Sequence, residues 1–170
     1  RVKSFLLSCG LNTKILNHNS WFKLSEDLKI LCFKDGFYDS GLAIDTGEKK
    51  ILNLNDCEIN DKKKCKEILK LTGECDVLAS QFSYAAWKGG KRNIAWRKAA
   101  AEEKINSLKL QVSFFKPKIL IPFASFIYFS NQENYYLNDS VNKPSDVVKA
   151  FEDSSTFVKV MKPFEKLDNF

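Results

Sequence analysis

At Asp56 the hydrophobic period of this chain changes, and that change restricts the fold more than any other feature. Residues 21 to 58 read as short strands. Leu28 to Phe33 is apolar and β-rich, Lys34-Asp35-Gly36 supplies a turn, Tyr38 to Ile44 runs to a second turn at Asp45-Thr46-Gly47, and Lys50 to Asn55 resumes. Beyond Asp56 strands and helices alternate. Asn60 or Asp61 caps a helix with Cys65, Ile68, Leu69 and Leu71 on one face, and Gly73 ends it. A buried strand, Cys75 to Gln81, follows. From about Arg97 to Phe115 the residues Ala101, Ile105, Leu108, Val112 and Phe115 form one apolar stripe, which Pro117 stops. Lys118 to Pro122 reads as a strand covered on both faces, Pro144-Ser145-Asp146 opens a short helix through Phe151, and Thr156 to Met161 is a last strand. Antiparallel strands followed by three αβ pairs imply right-handed crossovers and a largely covered sheet. The predicted class is α/β (α+β), a mixed sheet with helices packed on it.

The 170 residues suit a single domain spanning 1–170, large enough to bury roughly 70% of the unfolded surface. No apolar run reaches the ~20 residues of a membrane-spanning helix, so no membrane partner is expected. Arg1 to Gly10 is too short in apolar character for a signal peptide, and a fragment is the simpler reading of a chain that opens on arginine. The five cysteines, Cys9, Cys32, Cys57, Cys65 and Cys75, form no C-x-x-C pair, which favours reduced thiols and a cytoplasmic location over a disulfide framework. A net charge of +6 makes anionic partners plausible without choosing between nucleic acid and a phosphorylated metabolite.

Three stretches carry candidate chemistry. Lys50 to Cys57 drives an apolar strand into a polar end that presents Asp56, and strand carboxyl ends are where α/β sheets place their sites. The carboxylate is a candidate metal ligand, with a helix cap or turn aspartate as the structural alternative. Lys88-Gly89-Gly90-Lys91-Arg92, flanked by Trp87 and Trp96 and followed by Arg97, is a basic loop suited to an anionic group. It lacks the spacing of a P-loop and reads equally as a solvated loop ahead of a helix. Ile121 to Phe129 turns polar at Ser130 to Asn134, a segment that could wall a pocket and offer Ser125, Asn131 or Asn134 as hydrogen-bond partners, with core packing as the structural alternative. Lys62-Lys63-Lys64 reads as a solvated face. The solitary histidine, His18, lies in a loop, so neither a Ser-His-Asp arrangement nor an imidazole cluster can be assembled.

The Asp39-Ser40 strand, Lys50 to Cys57 ending in Asn-Asp-Cys, Asp76-Val77-Leu78 running into Gln81-Phe82-Ser83, and Ile119 to Phe129 together resemble the metallo-β-lactamase fold superfamily. Within it the chain is similar to ascorbate-6-phosphate lactonase-like and CMP-N-acetylneuraminate hydroxylase-like proteins. The resemblance covers most of residues 21 to 165 and implies part of a four-layer αβ/βα sandwich. The family's His-x-His-x-Asp-His signature is missing here. By resemblance Asp56 takes the place of the bridging aspartate, while the position of the final histidine holds Phe123-Ala124-Ser125. The chain therefore resembles the carboxyl-terminal half of a larger domain, most of whose metal ligands precede Arg1.

These readings lead to an expected parent that is a metal-dependent hydrolase acting on a phosphorylated or nucleotide-linked sugar. Zinc or iron is expected in that parent, and none is expected to be bound by this chain alone, which should be inactive. Lys88, Lys91, Arg92, Arg97, Ser125 and Asn131 are the expected contacts to an anionic small-molecule substrate, and Asp56 to metal. The alternative is a non-catalytic module that engages RNA or a nucleotide through its basic and aromatic surface. A third reading is a homo-oligomer, or a subunit whose missing amino-terminal half comes from a partner chain.

Overall fold

The computed structural model describes residues 2–167. After a short exposed helix, α1 (Val2–Ser8), come four strands, β1 (Ser20–Lys23), β2 (Lys29–Asp35), β3 (Asp39–Asp45) and β4 (Lys50–Asn55). Three αβ pairs follow: α2 (Lys62–Thr72) with β5 (Val77–Ser80), α3 (Ile94–Phe115) with β6 (Ile119–Pro122), and α4 (Pro144–Ala150) with β7 (Phe157–Val158). The seven strands form one sheet in chain order, antiparallel from β1 to β4 and parallel from β4 to β7.

That order decides where the helices go. Each parallel connection steps to the next strand in the same direction, and right-handed crossovers without a reversal of direction place every helix on one face. Leu31, Phe33, Ala43, Leu52, Leu54, Leu78 and Leu120 point to that side and pack with Cys65 and Ile68 of α2, Leu108 and Phe115 of α3 and Val147 of α4 in one buried cluster. Because side chains alternate across a strand, the residues between them face the other way. Ile44, Ile51, Ala79 and Ile121 are only half-buried and line an apolar groove of about 1040 Å³ with Phe126 and Met161. The helices thus cover one face of the sheet while the other is apolar and open, so β6, read from its sequence as covered on both faces, is covered by helices on one.

Local signals hold well at the helices. Asp61 caps α2 by accepting a hydrogen bond from the Lys64 backbone N–H at 2.8 Å, and Gly73, at φ 71°, ends it. Asp61→Ala should cost about 1 kcal/mol in urea unfolding, the usual loss of one cap. α3 begins three residues earlier than expected, and Lys116 in the left-handed region closes it before Pro117. The last strand is much shorter than predicted, two residues at the sheet edge. All five cysteines are free, and burial pushes the thiols of Cys65 and Cys75 up to about 11 and about 12, so both stay protonated at neutral pH. Among the described residues no helix is long and apolar enough to cross a membrane.

Candidate functional site

Parallel pairing of β4, β5 and β6 brings their carboxyl ends to one sheet edge, where Asn55-Asp56, Gln81-Phe82-Ser83 and Phe123-Ala124-Ser125 leave the sheet. The turn at the end of β4 is built by asparagines. Pairing becomes irregular between Asn53 and Asn55, Asn55 adopts φ 47°, and its N–H donates to the Asn53 side-chain oxygen at 2.9 Å. Asparagine tolerates this left-handed conformation better than most residues. The chain then turns so that Asp56 is exposed while Cys57 is buried in the core.

No hydrogen bond or ion pair engages the Asp56 carboxylate among the described residues, but its backbone is fixed. The Gln81 amide donates to the carbonyls of Asp56 at 3.0 Å and Cys57 at 3.3 Å. Farther along, buried Asp35 accepts the Glu58 N–H at 2.7 Å, and Lys64 donates to both Asp35 and the Glu58 carbonyl, at 2.8 and 2.9 Å. Lys64 is therefore a brace for the loop after β4 rather than part of a solvated face, and its hydrogen bond to Asp35 raises its pKa. Rigid backbone beneath a free carboxylate leaves an oxygen donor without competition from a neighbouring cation.

The other two strand ends are tied to each other. Buried Ser125 accepts the Phe82 N–H at 3.2 Å, and Phe123 N–H donates to the Ser80 carbonyl at 2.9 Å. Between them Ala124 sits at φ 60°, a conformation that costs a non-glycine residue of order 1–2 kcal/mol. Asn142, unnoticed in the sequence, donates from its amide to the carbonyls of Phe82 at 2.8 Å and Ala101 at 2.7 Å, while its N–H meets the Ser83 hydroxyl at 2.9 Å. Ser125 thus joins two loops through its hydroxyl while lining the apolar groove. Asn131 is exposed, and its side-chain oxygen accepts the Glu133 N–H of its own turn at 3.1 Å.

The basic loop divides in two. Lys88, Lys91 and Arg92 have no acidic partner among the described residues. Arg97 lies beneath them, fully buried, donating to both Asp139 oxygens at 2.7 and 2.6 Å and to the carbonyls of Gly90 and Lys91 at 2.8 and 3.1 Å, with the Tyr136 ring 5.2 Å away. Those bonds occupy the guanidinium, so Arg97 supports the loop and is not open to a ligand. Its spacing was the available signal: four residues before Ala101, it continues the buried stripe of α3.

These residues do not complete a metal centre by themselves. Among the described residues no group of three or more His, Cys, Asp and Glu side chains could hold an ion. Exposed His18 precedes β1, three strands from β4.

No family model and no curated protein matches the chain. Solved structures do. CmlA, a diiron β-hydroxylase from Streptomyces venezuelae, superposes over 89% of this chain and 33% of its own at TM-score 0.59 and 9% identity, and a CmlA variant reaches TM-score 0.65. A proposed Zn-dependent hydrolase of the metallo-β-lactamase superfamily from Thermotoga maritima matches 83% of this chain and 60% of its own, at TM-score 0.50 and 18% identity. The fold is that of the metallo-β-lactamase superfamily. A proposed metal-dependent hydrolase from Parabacteroides distasonis agrees, at TM-score 0.52 and 14% identity over 93% of this chain and 61% of its own. The chain spans about a third of CmlA and about three fifths of the two hydrolases. Identities this low speak to the metallo-β-lactamase fold alone.

Proposed function

We propose that this chain is one αβ layer of a metal-dependent hydrolase, with Asp56 contributing one oxygen ligand and the remaining donors coming from a second layer seated on the open face. The observation that carries the reading is the unpartnered Asp56 carboxylate on a braced turn at the carboxyl edge of a sheet of this fold. When bound, zinc or iron supplies a Lewis acid and an activated water. Residues here hold the edge in register through Gln81, Ser125 and Asn142. Lys88, Lys91 and Arg92 offer unpaired cations to the anionic part of a substrate, for which a phosphorylated or nucleotide-linked sugar is the proposed class.

Metal analysis of the intact protein tests this. Stoichiometric zinc or iron that falls severalfold in Asp56→Ala, with folding retained by circular dichroism, is the expected result. A protein whose metal content is indifferent to Asp56, or one that holds no metal and binds nucleic acid with steep salt dependence, would overturn it. Iron in place of zinc would direct the reading toward hydroxylation, the activity named for CmlA.

A further inference from the structure

We infer that Trp87, Trp96 and the loop between them form a preorganised docking site for a mononucleotide, an anion carried on a flat ring. As a statement about substrate this rests on the function proposed above; as a statement about binding it stands alone. The loop is held from below at each of its central carbonyls. The Tyr136 hydroxyl donates to the Gly89 carbonyl at 3.0 Å, Arg97 and the Asn93 N–H donate to that of Gly90 at 2.8 and 2.9 Å, and Arg97 donates to that of Lys91 at 3.1 Å. Gly90 N–H in turn meets the Asn93 side-chain oxygen at 2.9 Å. Gly89 has φ 80°, and a Cβ there would fall 2.8 Å from Trp96 and 2.6 Å from Asn93, so Trp96 lies directly against the loop backbone.

With these three carbonyls engaged from below, the loop presents its cationic side chains. Lys88, Lys91 and Arg92 crowd three unpaired cations into five residues, a local field that favours an anion. Trp87 and Trp96, which flank the loop in sequence, meet edge to face at 5.5 Å and remain 62% and 48% exposed. Indole is among the best stacking surfaces for a planar ring, worth about 1–3 kcal/mol per base. Arginine adds a planar fork that pairs with phosphate through two hydrogen bonds. Neither half alone specifies the ligand: cations without rings would take any phosphate, and rings without cations any flat molecule. The patch is one loop with one tryptophan pair, shorter than the groove that tracks several nucleotides of a single strand, which favours a mononucleotide over RNA.

The test is calorimetric titration of the intact protein, in EDTA, with AMP, adenosine, ribose 5-phosphate and inorganic phosphate. AMP should bind about tenfold or more tightly than each of the other three. Trp87→Ala and the double variant Lys91→Ala/Arg92→Ala should each weaken AMP about tenfold, the size expected for losing one stack or a charged hydrogen bond. These side chains are exposed, so thermal unfolding should be unchanged. Equal binding of AMP and ribose 5-phosphate or phosphate, AMP affinity unchanged in both variants, or saturable binding only to a single-stranded oligonucleotide would each overturn the inference. EDTA separates the two proposals. AMP binding that survives in a protein with no Asp56-dependent metal leaves this site standing while the hydrolase reading falls, and the converse holds as well.

Discussion

Asp139→Asn should destabilise the intact protein by about 3 kcal/mol, and more than Arg97→Met, which should cost about 2 kcal/mol. The order follows from where each charge sits. The Arg97 side chain is fully buried, whereas that of Asp139 keeps 36% of its surface in solvent. Removing the carboxylate strands a cation in the interior, with only neutral oxygens, those of the new amide and of the Gly90 and Lys91 carbonyls, left to meet it. Removing the guanidinium takes the buried charge away, and Asp139 and the loop carbonyls can turn to water. The asparagine variant should also loosen the loop from Lys88 to Asn93, readable as faster amide exchange there. A methionine variant less stable than the asparagine one would show that hydrogen bonding, not the stranded charge, sets the cost.

Acid gives the same pair a second signature. Hydrogen bonds from Arg97 foremost, and from the Ser140 hydroxyl, hold the Asp139 carboxyl below its ordinary value. A lowered folded pKa contributes stability that is complete above the unfolded value of about 3.9 and is lost as pH falls through the folded one. Asp139→Asn lacks that contribution at every pH. The gap between the parent and the variant should therefore be full at neutral pH and close below about pH 4. Asp76, lowered chiefly by Lys118 and also by the Lys50 N–H, titrates in both proteins and cancels in the difference.

The same residues explain what the sequence could and could not reveal. Apolar alternation in Lys50 to Asn55 and the stripe from Ala101 to Phe115 are local patterns, and both elements are where they were expected. Arg97 was misread because a guanidinium beside Lys91 and Arg92 looks like one more surface cation. Its partner Asp139 lies 42 residues away in a 3₁₀ turn, Tyr135–Asp139. The brace that Ser125 provides is hidden for a similar reason, since the N–H it accepts from lies 43 residues upstream. Lys64 completes the set, its acid being 29 residues away across the sheet. Periodicity carries which face of an element is buried, but not which distant polar group will be waiting there. The open face was legible, because half of a two-layer sandwich exposes one apolar face and three crossovers in one direction leave no helix for the second side.

Ile121→Glu in the intact protein should cost at least about 3 kcal/mol, the penalty for placing a carboxylate where no partner has been provided for it. The argument runs through the groove. Ile121 pairs with Ala79 in register and projects, with Ile44 and Ile51, into an apolar cleft of about 1040 Å³. Contiguous apolar surface of this kind ordinarily marks an interaction site. Under the proposed arrangement the second αβ layer covers these side chains, and the glutamate would be buried against it. Phe37→Glu is the internal control: Phe37 is 78% exposed at the tip between β2 and β3, and a charge there should change stability by no more than about 0.5 kcal/mol. If the face is instead open to solvent, Ile121 is only half-buried and its replacement should cost about 1 kcal/mol, which would sink the two-layer reading. An unfolding midpoint that rises with protein concentration and loses that dependence in Ile121→Glu would assign the cover to a second copy of the chain, since only association makes apparent stability depend on concentration.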